Sequence, residues 1–523
     1  MRKLCLVMGV ICLAASAAAE LQNVEIGGLM EWRWRMHRNT WNSPGMVEVR
    51  IPGALLPGRP IGWFAGGRPT NARRGVASMV DWDRRGNEWK FVEGTISLNV
   101  KADFTSNVAG LVELYDAHTW GEDFRSDHVT GRDRRAVTTD DVEFLQSYIE
   151  VRDLFDLPVR ARIGRQTLQF GKGWLVAEKN TPTARQSFDA IRLTYERDAW
   201  TVDAWHAKLA EIGLAEEDGD VDFSGVYATY AGLDALSASL YWMWLRDARA
   251  LEDTDYEWPA EWIEGWLGLD DYDPSNLHTL GARLWGAAAG FDYDLELAYQ
   301  TGNADAWGYY YKPLLYGDHR ARFDNWAADL ELGYTFDAPW APRVMVGAAW
   351  FEGEDNRDLS FLEWINPFHR PDASISFNRL FGQVNYCPAF QDNAWMSNFK
   401  QIRTSVSFRP AEKVSALVRL QSVWVDEPFD WPVYFSVGRF RVPIAPALSF
   451  WTTPSDDHLG YSTCVLLSYQ YSDDLTFRWY WGHLFAKQGA QDGSYVFFNG
   501  TDFAGGTAQD DADYMFFWAT LKF

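Results

Sequence analysis

Hydrophobic and polar residues alternate along most of this chain. Between residues 91 and 101 the even positions are apolar or small, and the odd positions from Glu93 onward are polar or charged. Residues 325–336 and 475–481 repeat the pattern. A period of two gives a β-strand one oily and one wet face, whereas a helix with this sequence would scatter charge over all its sides. The pattern therefore predicts amphipathic strands.

About eighteen such strands are predicted, each of roughly 10–15 residues, which suits a tilted membrane-crossing strand of ~9–11 residues and its ends. They begin near residues 24, 88, 107, 142, 157, 188, 199, 222, 235, 277, 290, 325, 342, 397, 412, 459, 474 and 513.

The connections between these strands alternate strictly between short and long. Arg197-Asp198, Ala289-Gly290 and Pro410-Ala411 are short, whereas the segments near 38–87 and 353–396 are long. Outer-membrane barrels have short periplasmic turns, long extracellular loops and an even number of strands. We therefore expect an all-β fold, a transmembrane antiparallel β-barrel of about 18 strands, with both termini on the periplasmic side.

The last predicted strand ends on an aromatic residue. Met515, Phe517, Ala519, Leu521 and Phe523 form an alternating apolar row. This last strand resembles that of outer-membrane barrels in general. The resemblance implies that barrel-insertion machinery recognises the strand that ends at Phe523.

The N-terminus has the features of a secretory signal peptide. Arg2 and Lys3 precede an apolar stretch, and residues 17–19 are an Ala-Ala-Ala cleavage site. We expect residues 1–19 to be removed and residues 20–523 to form a single barrel domain in the bacterial outer membrane. No segment after residue 19 has the 18 or more apolar residues of a transmembrane helix.

Composition and charge narrow the function classes. Aromatic residues make up 16% of the chain, with 28 Trp, as expected for aromatic girdles at the two membrane interfaces. The formal net charge is −24, which argues against nucleic acid as a partner. Only Cys387 and Cys464 follow the signal peptide, too few for a disulfide framework, although one bridge between them is conceivable.

One pair of segments resembles a known family. Residues 163–171 read IGRQTLQFG, Trp174 follows, and residues 185–192 read RQSFDAIR. This pattern is similar to that of the alginate-export family of outer-membrane porins. Residues 27–35 resemble the family's first strand, and residues 482–485 and 513–523 its last two. The resemblance implies an 18-stranded monomeric barrel whose arginine-lined pore passes a polyuronate outward.

The lumen can be assigned from the alternation, because a charge facing mid-membrane lipid costs ~2–4 kcal/mol. Arg165 does not fit the alternation of its strand unless a bulge near Gly164 turns it inward, and it is included on the resemblance alone. The predicted basic pore-lining residues are Arg33, Arg35, Lys101, Arg152, Arg160, Arg162, Arg165, Arg192, Arg403, Arg419 and Arg478. The predicted acidic ones are Asp294, Glu296, Asp329 and Glu331.

Two interpretations of these charges remain open. A basic wall facing an acidic wall would orient a polar or anionic solute. Alternatively, the charges form salt bridges that keep the barrel round and the pore hydrated. A third interpretation is a non-conducting surface protein whose lumen is plugged by its own long segment 38–87, which is rich in Gly, Pro and Arg. The acidic segment 252–273 lacks EF-hand spacing and suits a solvated or lipopolysaccharide-bridging surface.

Enzymatic chemistry has little support in the sequence. His118, His206 and His483 are scattered, no Ser–His pairing is apparent, and we predict no catalytic residue, metal site or cofactor. The main alternative is a secreted Trp-rich protein that binds or cleaves carbohydrates. The ordered loops and the terminal Phe523 favour a channel, with outer-membrane lipid, lipopolysaccharide and a polar solute as its partners.

Overall fold

The computed structural model describes most of the chain. It covers residues 23–38, 88–120, 142–179, 185–211, 220–248, 274–303, 321–353, 376–387, 396–428, 456–492 and 511–523. It also covers the short strands Met79–Val80, Ala373–Ser374, Trp431–Pro432, Tyr434–Val437, Phe440–Pro443, Thr452–Thr453, Tyr495–Phe497 and Asp502–Gly506. The predicted signal peptide and the segments 39–78 and 252–273 lie outside the described residues, so the predictions about them stay predictions.

Eighteen long strands form the wall of the molecule. They are β1 (Asn23–Arg38), β2 (Glu88–Asp103), β3 (Val108–Thr119), β4 (Glu143–Val151), β5 (Val159–Gln166), β6 (Phe188–Arg197), β7 (Trp200–Ala210), β8 (Val221–Leu233), β9 (Leu236–Asp247), β10 (Ser275–Ala288), β11 (Phe291–Asn303), β12 (Ala321–Thr335), β13 (Arg343–Phe351), β14 (Phe399–Ala411), β15 (Val414–Val425), β16 (His458–Gln470), β17 (Leu475–Ala486) and β18 (Ala512–Lys522). Each begins within four residues of its predicted start. The predicted fold is confirmed.

The sheet closes on itself through its first and last strands. β1 pairs antiparallel with β2 on one side and with β18 on the other, and every other long strand pairs with its sequence neighbours. At the seam the backbone N–H of Gly28 donates to the Phe523 carbonyl oxygen at 2.9 Å. Closure leaves no free sheet edge, which a strand-built wall in hydrocarbon requires.

Short turns join the strands at the periplasmic end, as predicted. Ala289 and Gly290 form a two-residue turn in which both φ angles are positive, 51° and 85°. Such turns match the twist of the strands that they connect. The strand ends from which the long connections leave are therefore at the opposite, extracellular end.

The two faces of the wall differ in chemistry. Large apolar side chains such as Ile163, Leu240, Val346 and Ile402 are more than half exposed on the outer face. Polar and charged side chains such as Arg35 lie buried on the inner face. This is the arrangement expected of a barrel with lipid outside. In the described part of the chain, no helix is both long and apolar enough to cross a membrane.

Candidate functional site: the lumen and two loops inside it

The strand register shows which face carries each predicted pore residue, because directly opposed residues of antiparallel strands lie on one face. Arg33 lies opposite Glu93 on β2 and Trp518 on β18, and the register continues without conflict around the barrel. Fourteen of the fifteen predicted residues share this inner face. They are Arg33, Arg35, Lys101, Arg152, Arg160, Arg162, Arg192, Asp294, Glu296, Asp329, Glu331, Arg403, Arg419 and Arg478.

Arg165 is the exception. It lies opposite Ser147 and Asp189, on the outer face with the exposed Ile163, and its guanidinium binds the Asp189 carboxylate at 2.9 Å. Gly164 has a positive φ of 126°, but the register runs through it without a bulge. The prediction that Arg165 lines the pore is therefore wrong: the strand's alternation, which pointed outward, outweighs the family resemblance.

The third outer loop lies between β5 and β6, and its described residues, 167–179 and 185–187, fold into the barrel. Phe170 stacks on the inward rings of Trp205 and Tyr227, with centroids 4.4 and 5.0 Å apart. The Trp174 side chain is fully buried. Farther along, Arg185 donates to Glu113 on β3 at 2.6 Å. The loop therefore contacts the wall at several widely separated strands.

In the seventh outer loop, between β13 and β14, the described residues 376–387 meet the third loop inside the barrel. Phe381 donates its backbone N–H to the Leu175 carbonyl at 2.8 Å and accepts from the Ala177 N–H at 3.1 Å. Gln383 donates to the Gly173 carbonyl at 2.9 Å. Gly173 has a φ of 75°, a conformation that favours glycine. The two loops thus form a short parallel β-contact that narrows the lumen.

A polar network fixes both loops to the acidic residues of the wall. The Trp174 Nε1 donates to the Tyr386 hydroxyl at 2.9 Å, and this hydroxyl donates to Asp329 Oδ2 at 2.8 Å. Asp329, only 1% exposed, also binds Lys172 Nζ of the third loop at 3.0 Å and Arg403 Nη2 at 2.5 Å. Buried carboxylates are tolerated when they are paired and hydrogen-bonded in this way.

The predicted basic and acidic walls are not separate. Arg403, assigned to the basic wall, binds both Asp329 and Glu331 of the acidic wall. Within the acidic wall, Asp294 binds Arg283 of β10 at 2.5 Å. On the basic side, Glu150 accepts from Arg152 and Arg162 at 2.8 and 2.7 Å. Salt bridges within strands and between strands up to two apart therefore cancel much of the charge that the alternation assigns to the lumen.

Other predicted cations also have carboxylate partners. The pairs are Arg33–Glu31, Arg35–Glu93, Lys101–Glu25, Arg160–Glu196 and Arg192–Asp203.

Arg419 on β15 and Arg478 on β17 differ from the rest, and we call these two residues the basic strip. Among the described residues neither forms an ion pair with a carboxylate. Arg419 lies opposite Ser405 and Cys464, and its Nε has no hydrogen-bond partner. The Arg478 guanidinium lies over the ring of Trp518, 5.4 Å from its centroid. Among the residues that the structure describes, no carboxylate compensates the positive charge of this part of the inner face.

The sequence analysis missed several residues of the lumen. The alternation of β10 places Arg283 inward between Leu280 and Leu284, so this residue was predictable from parity. Lys172 and Tyr386 were not, because they lie in loops. The only sequence signal for loops inside the barrel was apolar runs such as residues 174–177 within segments that otherwise appear polar.

Burial lowers the pKa of Lys179 in the third loop, against the opposing effect of Glu31.

The structure also brings together Ser–His pairs that the sequence analysis did not find. Ser224 Oγ lies 2.9 Å from His206 Nδ1, and Ser422 Oγ lies 3.0 Å from His458 Nε2. Both pairs are on the outer face. Among the described residues no three His, Cys, Asp or Glu side chains are grouped to hold a metal. Cys387 and Cys464 are both buried and are not joined in a disulfide.

Comparisons with known proteins agree with this architecture. The model of a family described as alginate export matches residues 70–428. The chain belongs to this family. A comparison with curated protein sequences finds no match.

Solved structures of similar fold come from Pseudomonas aeruginosa. OpdL is 12% identical, the match covers 96% of this chain and 99% of that one, and the TM-score is 0.50. The outer membrane protein OprD is 13% identical over 97% and 95%, with a TM-score of 0.48. This member of the family is therefore a multi-pass β-barrel of the bacterial outer membrane and a porin-type channel.

Proposed function

We propose that this channel conducts polar anions, with uronate oligosaccharides as the substrate class that fits best. The observation that carries the proposal is the basic strip, which keeps positive charge on an inner face where the other predicted cations are paired. A charged ring or strip in a narrow pore selects ions of opposite sign. Membership of the alginate-export family supports a polyuronate as the solute.

The spacing of the strip favours an oligomer over a small anion. Arg419 on β15 lies opposite Cys464 on β16, and Cys464 lies opposite Gly482 on β17. Gly482 is four residues beyond Arg478 along β17, so the two arginines differ by four residues along the strands and by two strand spacings across them. From the usual rise and strand spacing, the two Cα atoms are roughly 15–17 Å apart. A single carboxylate can contact only one arginine at a time. A uronate chain can contact both and can then exchange from one to the next.

The strip also lies on the periplasmic side of the two loops. Arg478 is close to the periplasmic start of β17, and Arg419 is halfway along β15, below Gln421, whose side chain binds the seventh loop. A polyanion that enters from the periplasm would meet Arg478, then Arg419, then the two loops inside the barrel. This order fits outward passage.

Block of ion current by uronates tests the proposal. Purified protein in planar bilayers should pass anions preferentially, and uronate oligosaccharides added on the periplasmic side should interrupt the current. Longer oligomers should block at lower concentration than the monomer, because they contact both arginines. A current that prefers cations, or equal block by a neutral oligosaccharide of the same length, would contradict the proposed substrate class.

A further inference from the structure

The lipid-facing surface of the barrel carries a groove over strands β11 to β17. Two adjoining cavities of about 410 and 760 Å³ form it, and they share Ile402 and Trp424. We call it the outer groove. Its outward-facing lining includes Ala328, Ala348, Trp350, Ile402, Thr404 and Trp424.

Small residues make the outer groove concave. Ala328, Ala348 and Thr404 form its floor, while Tyr461 and Phe485 project on one side and are about half exposed. The lining is almost entirely apolar below the rim. In a membrane such a groove is filled by hydrocarbon. Because lipid tails are as apolar as the wall, tight retention needs close packing and contacts to the head group.

The upper end of the groove lies at the extracellular rim. Trp350 is the penultimate residue of β13, Lys400 is the second residue of β14, and Trp424 is the penultimate residue of β15. Tryptophan at this level marks the boundary between hydrocarbon and head groups. The groove therefore lies in the outer leaflet, which in the bacterial outer membrane consists of lipopolysaccharide.

Two lysines stand at this rim, together with Asp426 and Asp457, which line the larger of the two cavities. Lys400 is about half exposed, and its Nζ lies 3.8 Å from Asp426, a loose ion pair. Lys487 is exposed, and its Nζ lies 5.6 Å from the centroid of the Tyr461 ring. The Ser422–His458 pair lies beside them, with His458 stacked on Trp424. Among the described residues Lys487 has no carboxylate within ion-pair distance, and an ammonium group at this depth attracts the phosphates of an anionic lipid.

We propose that the outer groove holds an acyl chain of one lipopolysaccharide molecule, whose phosphate contacts Lys400 and Lys487. The outer-leaflet position favours lipopolysaccharide over a phospholipid. The concave shape argues against a second copy of the chain, because a groove cannot fill an identical groove. A bound lipid at this place would support β13 and β14, the strands from which the seventh loop enters the lumen.

Lipid that remains bound during purification provides the test. Protein extracted from native outer membranes in mild detergent and passed through gel filtration should carry one lipopolysaccharide per chain by native mass spectrometry. Hydroxylated fatty acids released from the same sample should confirm its identity. Ala348→Trp fills the groove and should abolish retention. Lys400→Glu and Lys487→Glu should each weaken it roughly fivefold.

The matched control is Ala204→Trp, which places the same ring on the outer face of β7, opposite Leu193 and Val226. It should retain lipid as the wild type does, and heat-modifiable gel migration shows that each variant is folded. The proposal is overturned if the wild type carries no lipopolysaccharide, if it carries phospholipid instead, or if Ala348→Trp retains as much as the control. A dimer that Ala348→Trp converts to a monomer would overturn it in favour of a second copy.

Discussion

The Trp174 indole donates a hydrogen bond to the Tyr386 hydroxyl at 2.9 Å inside the barrel, although the two residues are 212 positions apart in the sequence. This contact joins the third outer loop to the seventh, and Tyr386 continues it to Asp329 on the wall. The width of the lumen thus depends on two loops that hold each other in place. Wall residues alone do not determine it.

Removing this hydrogen bond should loosen the narrow part of the channel. Trp174→Phe keeps the buried ring and leaves the Tyr386 hydroxyl without its donor, at a cost of about 1–3 kcal/mol. We expect higher and noisier single-channel conductance in planar bilayers, since the loops separate more often. Trp242→Phe, an equivalent change on the outer face, is the control and should conduct like the wild type. Equal conductance of both variants would show that the contact does not limit the pore.

The Arg403–Asp329 pair should stabilise the barrel strongly. Both side chains are almost completely buried, and Arg403→Gln would leave two carboxylates, Asp329 and Glu331, without this partner. Breaking a buried ion pair on one side typically costs 3–5 kcal/mol, so ~3 kcal/mol is expected here, because Lys172 remains near Asp329. The temperature of the heat-modifiable gel shift should fall.

Arg478→Gln is the control for this stability measurement, because Arg478 has no carboxylate to leave unpaired among the described residues. Its unfolding temperature should stay near that of the wild type. If both variants lower the unfolding temperature equally, the ion pair between Arg403 and Asp329 contributes no more to stability than an unpaired arginine on the inner face.

The C-terminal residue should matter for assembly more than for stability. Phe523 hydrogen-bonds through its backbone to Gly28 at the seam, and these bonds do not depend on the side chain. We expect Phe523→Ser to lower the amount of folded protein in the outer membrane of cells, since the predicted recognition by insertion machinery needs the aromatic ring. Refolding of the purified variant into detergent micelles should be nearly unchanged. A comparable defect in micelles would assign the role of the ring to the seam itself.

Strand positions and faces were predictable because lipid imposes a strict rule on them. Each crossing strand must present apolar side chains to lipid at every second position. The alternation alone therefore placed Arg33 and Arg478, which are far apart in the sequence, on the same inner face. Arg165 shows the strength of the rule: the alternation of β5 gave the right face, and the resemblance to a family gave the wrong one.

The pairing of the charges and the loops inside the barrel were not predictable from alternation. Parity assigned Arg403 and Asp329 to one face but could not show that they touch, because register depends on turn geometry and on neighbours. Nor could it show that Trp174 and Tyr386 leave polar loops for the interior. A loop has no period, so nothing in its spacing distinguishes an inward from an outward position.

The reversal potential of the basic-strip variants tests the central claim most directly. In a salt gradient across a planar bilayer, wild-type protein should show anion preference, and the double variant Arg419→Gln with Arg478→Gln should lose most of it. Arg165→Gln removes a positive charge from the outer face and should leave the reversal potential unchanged. A double variant as anion-selective as the wild type would contradict the account, since the charge that selects the solute would then lie elsewhere.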